Sequence, residues 1–300
     1  MNRRTFARTL AGSALAAASL GKSLARGASP SAPQGEAPSV PFKISIMLWT
    51  VFGNLPFEQR LEKVAEAGYR AVELVGEYAK WSAEDFRRVD RKRRELGITF
   101  DTTAGLKHAV GDPKAREAFL ADLKNELPNM EKLECSQLIV MSGNVVPGLS
   151  RQAQHQSCVE GLKRAADLVS GKGITLLLEN IDPEENPRYF LTSVAEGLQI
   201  IGEVNSPQVR FLYDFFHEQS AEGNLIEKLD KHLDRVGLLH IADVPGRHEP
   251  GTGEINYLNI YKKLAQLKYD RYMAMEFLPS GDPVATLRAA REEALRAGRV

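Results

Sequence analysis

Eight short, nearly unbroken apolar runs recur between residues 43 and 275: Lys43–Trp49, Ala71–Val75, Ile98–Thr102, Gln137–Met141, Ile174–Leu178, Val209–Tyr213, Gly237–Ile241 and Tyr272–Met275. Each spans four to seven residues, and a strand apolar on both faces belongs in a parallel sheet covered on both sides. Between the runs lie stretches with helical spacing. Phe57, Leu61, Val64 and Ala65 make one apolar stripe, and Pro113–Leu133 and Gln152–Lys172 are longer with mixed charge. Gly68, Gly97 and Gly173 stand between a helix and the next strand, where a left-handed residue ends helices. Alternating βα units imply a parallel sheet, and eight of them over residues 43–300 match a closed (β/α)8 TIM barrel, which takes about 250 residues. The open, doubly wound alternative lacks support, because no Gly-x-Gly-x-x-Gly follows the first run. The expected fold class is therefore α/β, a single-domain (β/α)8 TIM barrel over residues 42–300.

Residues 1–25 read as an address rather than a fold. Arg3-Arg4 precedes Thr5-Phe6, an 11-residue weakly apolar run extends from Leu10 to Leu20, and Ser23-Leu24-Ala25 offers small residues for cleavage. The run is shorter than the roughly 20 apolar residues that span a bilayer. This pattern resembles a twin-arginine signal peptide, so an exported, periplasmic or secreted location is expected. Residues 26–41, rich in Pro, Ala, Ser and Gly, read as a disordered linker. The whole chain balances 39 basic against 39 acidic residues. Removing residues 1–25 takes Arg3, Arg4, Arg8 and Lys22 and no acid, leaving 35 against 39, a net charge of −4. Neither balance gives an electrostatic footprint for nucleic acid or an anionic membrane surface. Two cysteines, Cys135 and Cys158, make neither a disulfide scaffold nor a four-cysteine zinc site, and read as core or free thiols.

The chemistry collects where the last four runs end. Glu179 follows Ile174–Leu178, Asp214 follows Val209–Tyr213, His240 lies in Leu238–Asp243, and Glu276 follows Tyr272–Met275. Barrel enzymes carry their working groups at the C-terminal ends of strands, so these four converge on one mouth. Three carboxylates beside apolar strands require a compensating cation. Hard oxygen donors with one imidazole suit Mg²⁺ or Mn²⁺, with Co²⁺ accommodated.

Four segments carry a family resemblance: Leu178-Glu-Asn-Ile-Asp182, Tyr213-Asp-Phe-Phe-His217, His240-Ile-Ala-Asp243 and Arg247-His-Glu-Pro-Gly-Thr-Gly-Glu-Ile-Asn-Tyr257. Asn54–Arg60 and Ala67–Leu74 agree with them at the front end. Together they resemble hydroxypyruvate isomerase, within the xylose-isomerase-like barrels that also include the ketose 3-epimerases. The resemblance covers most of residues 43–280. It implies that Glu179 and Glu276 are the catalytic pair that exchanges the substrate proton, and that Glu179, Asp214, His240 and Glu276 hold the metal. It further implies that His217, Arg247 and Glu185 bind substrate, a small hydroxy-keto acid or sugar, and that the chain associates as a homo-oligomer. Such an enzyme shifts a carbonyl between adjacent carbons by removing the proton α to it, with the metal stabilising the enediolate.

The chain departs from the family in two places. Glu179-Asn-Ile-Asp182 replaces the usual Glu-Pro-Ile-Asn, and Thr103–His108 replaces the family's His-Asn-Leu-Pro stretch. A different pocket wall near strands 3 and 4, and an altered substrate, follow from these departures. Alternative readings are a ketose 3-epimerase, an inosose-dehydratase-like lyase on the same barrel, and a non-catalytic exported binding protein. A nuclease of the related endonuclease barrels needs more metal ligands and basic loops than this chain offers. Glu73, Trp49, Lys107 and His108 end runs and stand as candidates for the pocket wall. Trp81 reads as packing, and His155, His232 and His248 read as surface or loop residues. Gly251 and Gly253 shape the loop after the seventh run.

Overall fold

Strand and helix alternate along residues 39–299, the part of the chain that the computed structural model describes. The expected signal, residues 1–25, and nearly all of the expected linker lie outside the described residues. The strands are β1 (Lys43–Met47), β2 (Ala71–Val75), β3 (Thr99–Ala104), β4 (Gln137–Met141), β5 (Thr175–Glu179), β6 (Val209–Asp214), β7 (Val236–Ile241) and β8 (Tyr272–Met275). All pair in parallel in chain order, and β8 pairs back to β1, closing the barrel. The helices are α1 (Phe57–Glu66), α2 (Ala83–Glu95), α3 (Arg116–Leu133), α4 (Arg151–Val169), α5 (Val194–Val204), α6 (Phe215–Ala221), α7 (Leu225–His232), α8 (Tyr257–Gln266) and α9 (Pro283–Ala297). The expected (β/α)8 architecture is the one observed. No helix among the described residues is long and apolar enough to cross a membrane.

Side chains alternate across each strand, and this period of two sorts them into two shells. Leu176 and Leu178 of β5 join the large apolar layer between strands and helices. Leu177 points the other way, into a separate inner layer with Met47, Ile139, Leu212 and Leu238. These five fill the barrel axis, as the closed fold requires. Local signals set the helix ends. Ser82 and Asp85 form a reciprocal capping box at α2, with the Asp85 amide 3.2 Å from Ser82 Oγ. Gly68, Gly97 and Gly173 adopt φ of 93°, 65° and 69°, the left-handed conformation expected of them.

The expected bounds shift where backbone geometry outranks apolarity. Lys43–Trp49 stops as a strand at Met47, and Leu48–Thr50 form a 3-10 turn. This turn lifts Trp49 out of the sheet and leaves it 43% exposed at the mouth. The third strand runs on to Ala104, and the fifth and sixth include Glu179 and Asp214 themselves. Cys158 lies on α4 and Cys135 just beyond α3; both thiols are buried and free.

Candidate active site

The inner apolar layer is also the floor of the site. One inward step beyond Leu177, Leu212 and Leu238 come Glu179, Asp214 and His240, so the alternation that buries the leucines aims the polar heads at the same axis. Glu276 stands in the same relation to Ala274 of β8, which pairs with His240. One ligand atom from each of Glu179, Asp214, His240 and Glu276 lies within 4.8 Å of the others, and all four residues are buried.

His240 Nδ1 is the centre of this cluster. It lies 2.7 Å from Glu276 Oε2, 3.6 Å from Glu179 Oε1 and 3.9 Å from Asp214 Oδ2. The other ring nitrogen, Nε2, is 3.2 Å from Glu73 Oε2. Despite the short distances, Asp214 Oδ2, His240 Nδ1 and Glu276 Oε2 make no hydrogen bond of acceptable geometry among the described residues, and Glu276 Oε2 is met by the Arg247 guanidinium as an ion pair. Electrostatics follow from this crowding. Burial opposes a charged imidazole, yet Glu73 and Glu276 hold His240 well above its ordinary range. Burial pushes the Glu179 carboxyl up, against its contact with His240. Burial would raise Glu276 as well, but His240 and Arg247 outweigh it and hold this carboxyl well below the usual range. The cluster needs positive charge at its centre, whether a proton on His240 or a cation.

A second set of residues forms the rim. Asp214 ends β6 and caps α6, its Oδ1 accepting from the Phe216 amide at 2.7 Å. The first turn of α6 therefore brings His217 back against it, with Nε2 3.5 Å from Asp214 Oδ2. His217 Nδ1 meets Asp182 Oδ2 at 2.7 Å. Burial disfavours the His217 charge, but Asp214 and Asp182 prevail and push it up to about 9. Arg247 reaches across the mouth: Nη1 is 2.6 Å from Glu185 Oε2 and Nη2 is 2.8 Å from Glu276 Oε2. Its guanidinium lies over the rings of Phe216, at 5.0 Å, and Trp49, at 5.6 Å. Trp49 Nε1 donates to Glu276 Oε1 at 3.0 Å. Both Glu276 oxygens are thus engaged from the rim.

Arg247 owes its position to the loop after β7. The buried Asp243 carboxylate accepts from the amides of Val244, Gly251, Gly253 and Ile255, at 2.9 to 3.0 Å. Gly253 passes so close beneath Val244 that a Cβ there would collide with its carbonyl oxygen, and Gly251 turns at φ 89°. Both glycines shape the loop, as expected. Arg247 itself sits at φ 56°, a conformation side chains rarely adopt and functional sites tolerate.

All seven residues singled out from the sequence therefore meet at this mouth, Glu185 at its half-exposed edge. Others fall elsewhere. Lys107 and His108 lie beyond β3, and His108 Nδ1 pairs with Asp122 of α3 at 2.9 Å. They border a separate cavity of about 340 Å³ with Ser142, Asn144 and Val145. Trp81 packs against Phe57 and Phe86 at 4.7 and 5.3 Å, as read from the sequence. His155 is not a free surface residue but half-buried between Glu196 and Glu203, because α4 packs on α5 there. Glu73 does not close β2; it sits mid-strand, fully buried inside the barrel. Asp182 was not singled out from the sequence. A carboxylate three residues after Glu179, set against Asp-x-x-His, was the only signal.

A four-donor set of three carboxylates and one imidazole within 4.8 Å, with buried Asp214 Oδ2 and His240 Nδ1 lacking a hydrogen bond among the described residues, fits a divalent cation. Closed barrel, strand-end carboxylates and capped Asp-x-x-His together define a class. Residues 61–298 match the xylose isomerase-like TIM barrel family, and the chain belongs to that family. Among its curated relatives, the 2-oxo-tetronate isomerase of Pectobacterium atrosepticum is 32% identical over 248 residues, covering 80% of this chain and 93% of that protein. The hydroxypyruvate isomerase of Escherichia coli is 30% identical over 252 residues, covering 82% and 97%. A crystal structure described as an AP endonuclease, family 2, from Brucella melitensis superposes with a TM-score of 0.76 at 27% identity, covering 82% and 96%.

Proposed function

We propose that this protein is a divalent-metal-dependent isomerase that moves a carbonyl between adjacent carbons of a small hydroxy-keto acid or sugar. The observation that carries this reading is the pair Glu179 and Glu276, on β5 and just beyond β8, flanking His240 Nδ1 in one buried mouth. The isomerase names of the curated relatives support it. Glu179, Asp214, His240 and Glu276 are the residues that would hold Mg²⁺ or Mn²⁺. A divalent ion there supplies Lewis-acid stabilisation of negative charge developing on the substrate's neighbouring oxygens.

The remaining chemistry belongs to the chain. One glutamate takes the proton from the hydroxyl-bearing carbon as base; the other returns a proton to the adjacent carbon as acid. The hydroxyl proton passes between the two oxygens, so mass and charge balance. Hydroxypyruvate would become tartronate semialdehyde in this way. His217, braced by Asp182, offers a donor to a substrate oxygen. Arg247 holds the far end of the substrate, and its position between Trp49 and Phe216 keeps water from the reacting carbons. Arg3-Arg4 and the run after it keep their reading as an export signal, which cell fractionation tests.

The test is turnover of hydroxypyruvate, 2-oxo-tetronate and a ketose panel in deuterated water. We expect one solvent deuterium at carbon in the product, loss of activity with chelator, and return with Mn²⁺ or Mg²⁺. No deuterium from any of these substrates, or full activity in chelator, overturns the reading. Loss of water from the product would indicate a lyase.

A further inference from the structure

His240 and Glu73 come from opposite sides of the barrel, β7 and β2, yet their side chains meet at 3.2 Å through Nε2 and Oε2. Glu73 is fully buried, and Oε1, its second oxygen, has no hydrogen-bond partner among the described residues. A buried carboxylate with a single hydrogen-bond partner is costly, so that one contact carries its stabilisation. Glu73 is closed off from solvent, and of the four ligand candidates it hydrogen-bonds to His240. Both ring nitrogens face carboxylates, Nε2 toward Glu73 and Nδ1 toward Glu179, Asp214 and Glu276; a cation held by those three would take the Nδ1 lone pair, which places the ring proton on Nε2. Arg247 and Trp49 contact the cluster from the rim. On the Nε2 side, Glu73 is the hydrogen-bond partner of the ring among the described residues.

We propose that Glu73 is a positioning residue: its carboxylate accepts the Nε2 proton of His240 and so presents Nδ1 to the metal. This inference rests on the metal reading of the cluster, and it adds a residue from the other half of the barrel. Carboxylates placed behind ligating histidines fix ring orientation and raise ligand basicity, and losing one typically costs roughly 10- to 100-fold in metal affinity.

The experiment uses the full chain and the Co²⁺ ion as probe. Glu73→Gln keeps a carbonyl acceptor at the same reach, whereas Glu73→Leu keeps volume and removes the acceptor. Glu73→Leu should weaken Co²⁺ binding roughly 10- to 100-fold by titration calorimetry and shift the Co²⁺ visible band, with Glu73→Gln within about threefold of the parent. Equal affinity and an unchanged band in all three proteins overturn the proposal. Should the leucine variant fail to fold, ¹⁵N-histidine spectra of the Zn²⁺-loaded parent decide. Nε2 protonated and Nδ1 metal-shifted sustains the proposal; Nδ1 protonated overturns it. If the parent binds no divalent ion, the metal reading fails on its own. The metal-free ¹⁵N spectrum then judges Glu73: a hydrogen-bonded Nε2–H that Glu73→Leu loses sustains its hold on the ring, and a ring indifferent to the substitution overturns it.

Discussion

The inside of this barrel has two unlike halves. From β4 to β7 the inward residues below the mouth are Ile139, Leu177, Leu212 and Leu238, an apolar layer that Met47 of β1 completes. From β1 to β3 the other buried positions include Ser45, Glu73 and Asp101, each with a side-chain atom that lacks a partner among the described residues. The apolar half works as a wedge. It offers the polar tips above it nothing to bond, so Glu179, Asp214 and His240 crowd within 4.8 Å and concentrate charge. The polar half works from below and behind, meeting that charge with Glu73 against His240. Chemistry sits on one half, and its alignment depends on the other.

Substitutions on the two halves should therefore fail differently. The largest effect belongs to the strand tips. Glu179→Gln or Glu276→Gln should lower kcat by roughly 10²- to 10⁴-fold with an unchanged circular dichroism spectrum; near-parental turnover would remove the pair from the mechanism. Next comes the loop that carries Arg247. Asp243→Ala deletes the acceptor of four amides and should cost about 2–4 kcal/mol in denaturant unfolding, together with a raised KM. A loss under 1 kcal/mol would show, on the scale of a single typical hydrogen bond at about 1 kcal/mol, that the loop stands without its hub.

The other half should answer more gently. Trp49→Phe keeps the ring against Arg247 but removes the Nε1 bond to Glu276, and kcat should fall about tenfold, the worth of one charge-assisted hydrogen bond. The smallest effect is a pH dependence of stability. Burial, with the Glu73 charge, pushes the Asp101 carboxyl up to about 8. A carboxyl raised above its unfolded value, about 3.9, stabilises the fold below that pH, and the contribution is lost as pH rises toward 8. Asp101→Asn never ionises, so its stability relative to the parent should improve between pH 5 and pH 9 by at least about 1.4 kcal/mol, one pKa unit's worth. Parallel unfolding curves at both pH values would mean that Asp101 ionises freely.

The two halves were not equally legible. On β5 to β8 an apolar run ends in a carboxylate or imidazole, a local contrast visible within six residues, and the structure brings all four tips within 4.8 Å. On β1 to β3 the contrast misleads. Trp49 continues an apolar run, so the run reads as strand to its end, yet a 3-10 turn presents its indole to Glu276. Glu73 reads as the end of a strand because charge is rare inside one, whereas its partner stands 167 residues away. Asp182 looks like loop polarity until α6 folds His217 onto it. The residues 1–25 and nearly all of 26–41, read as export signal and linker, lie outside the described residues.

The sequence by itself determined the alternation of strand and helix, the barrel it closes into, and the four strand-end ligand candidates. All of these follow from short-range periodicity and from the cost of leaving charge beside an apolar strand. The tertiary structure decided that His240 turns Nδ1 to Glu179, Asp214 and Glu276 and Nε2 to Glu73, and that Arg247 bridges Glu185 and Glu276 over the mouth. These are relations across the barrel between residues far apart in the chain. Closure brings them within hydrogen-bonding distance, and no local pattern encodes a distance of that kind.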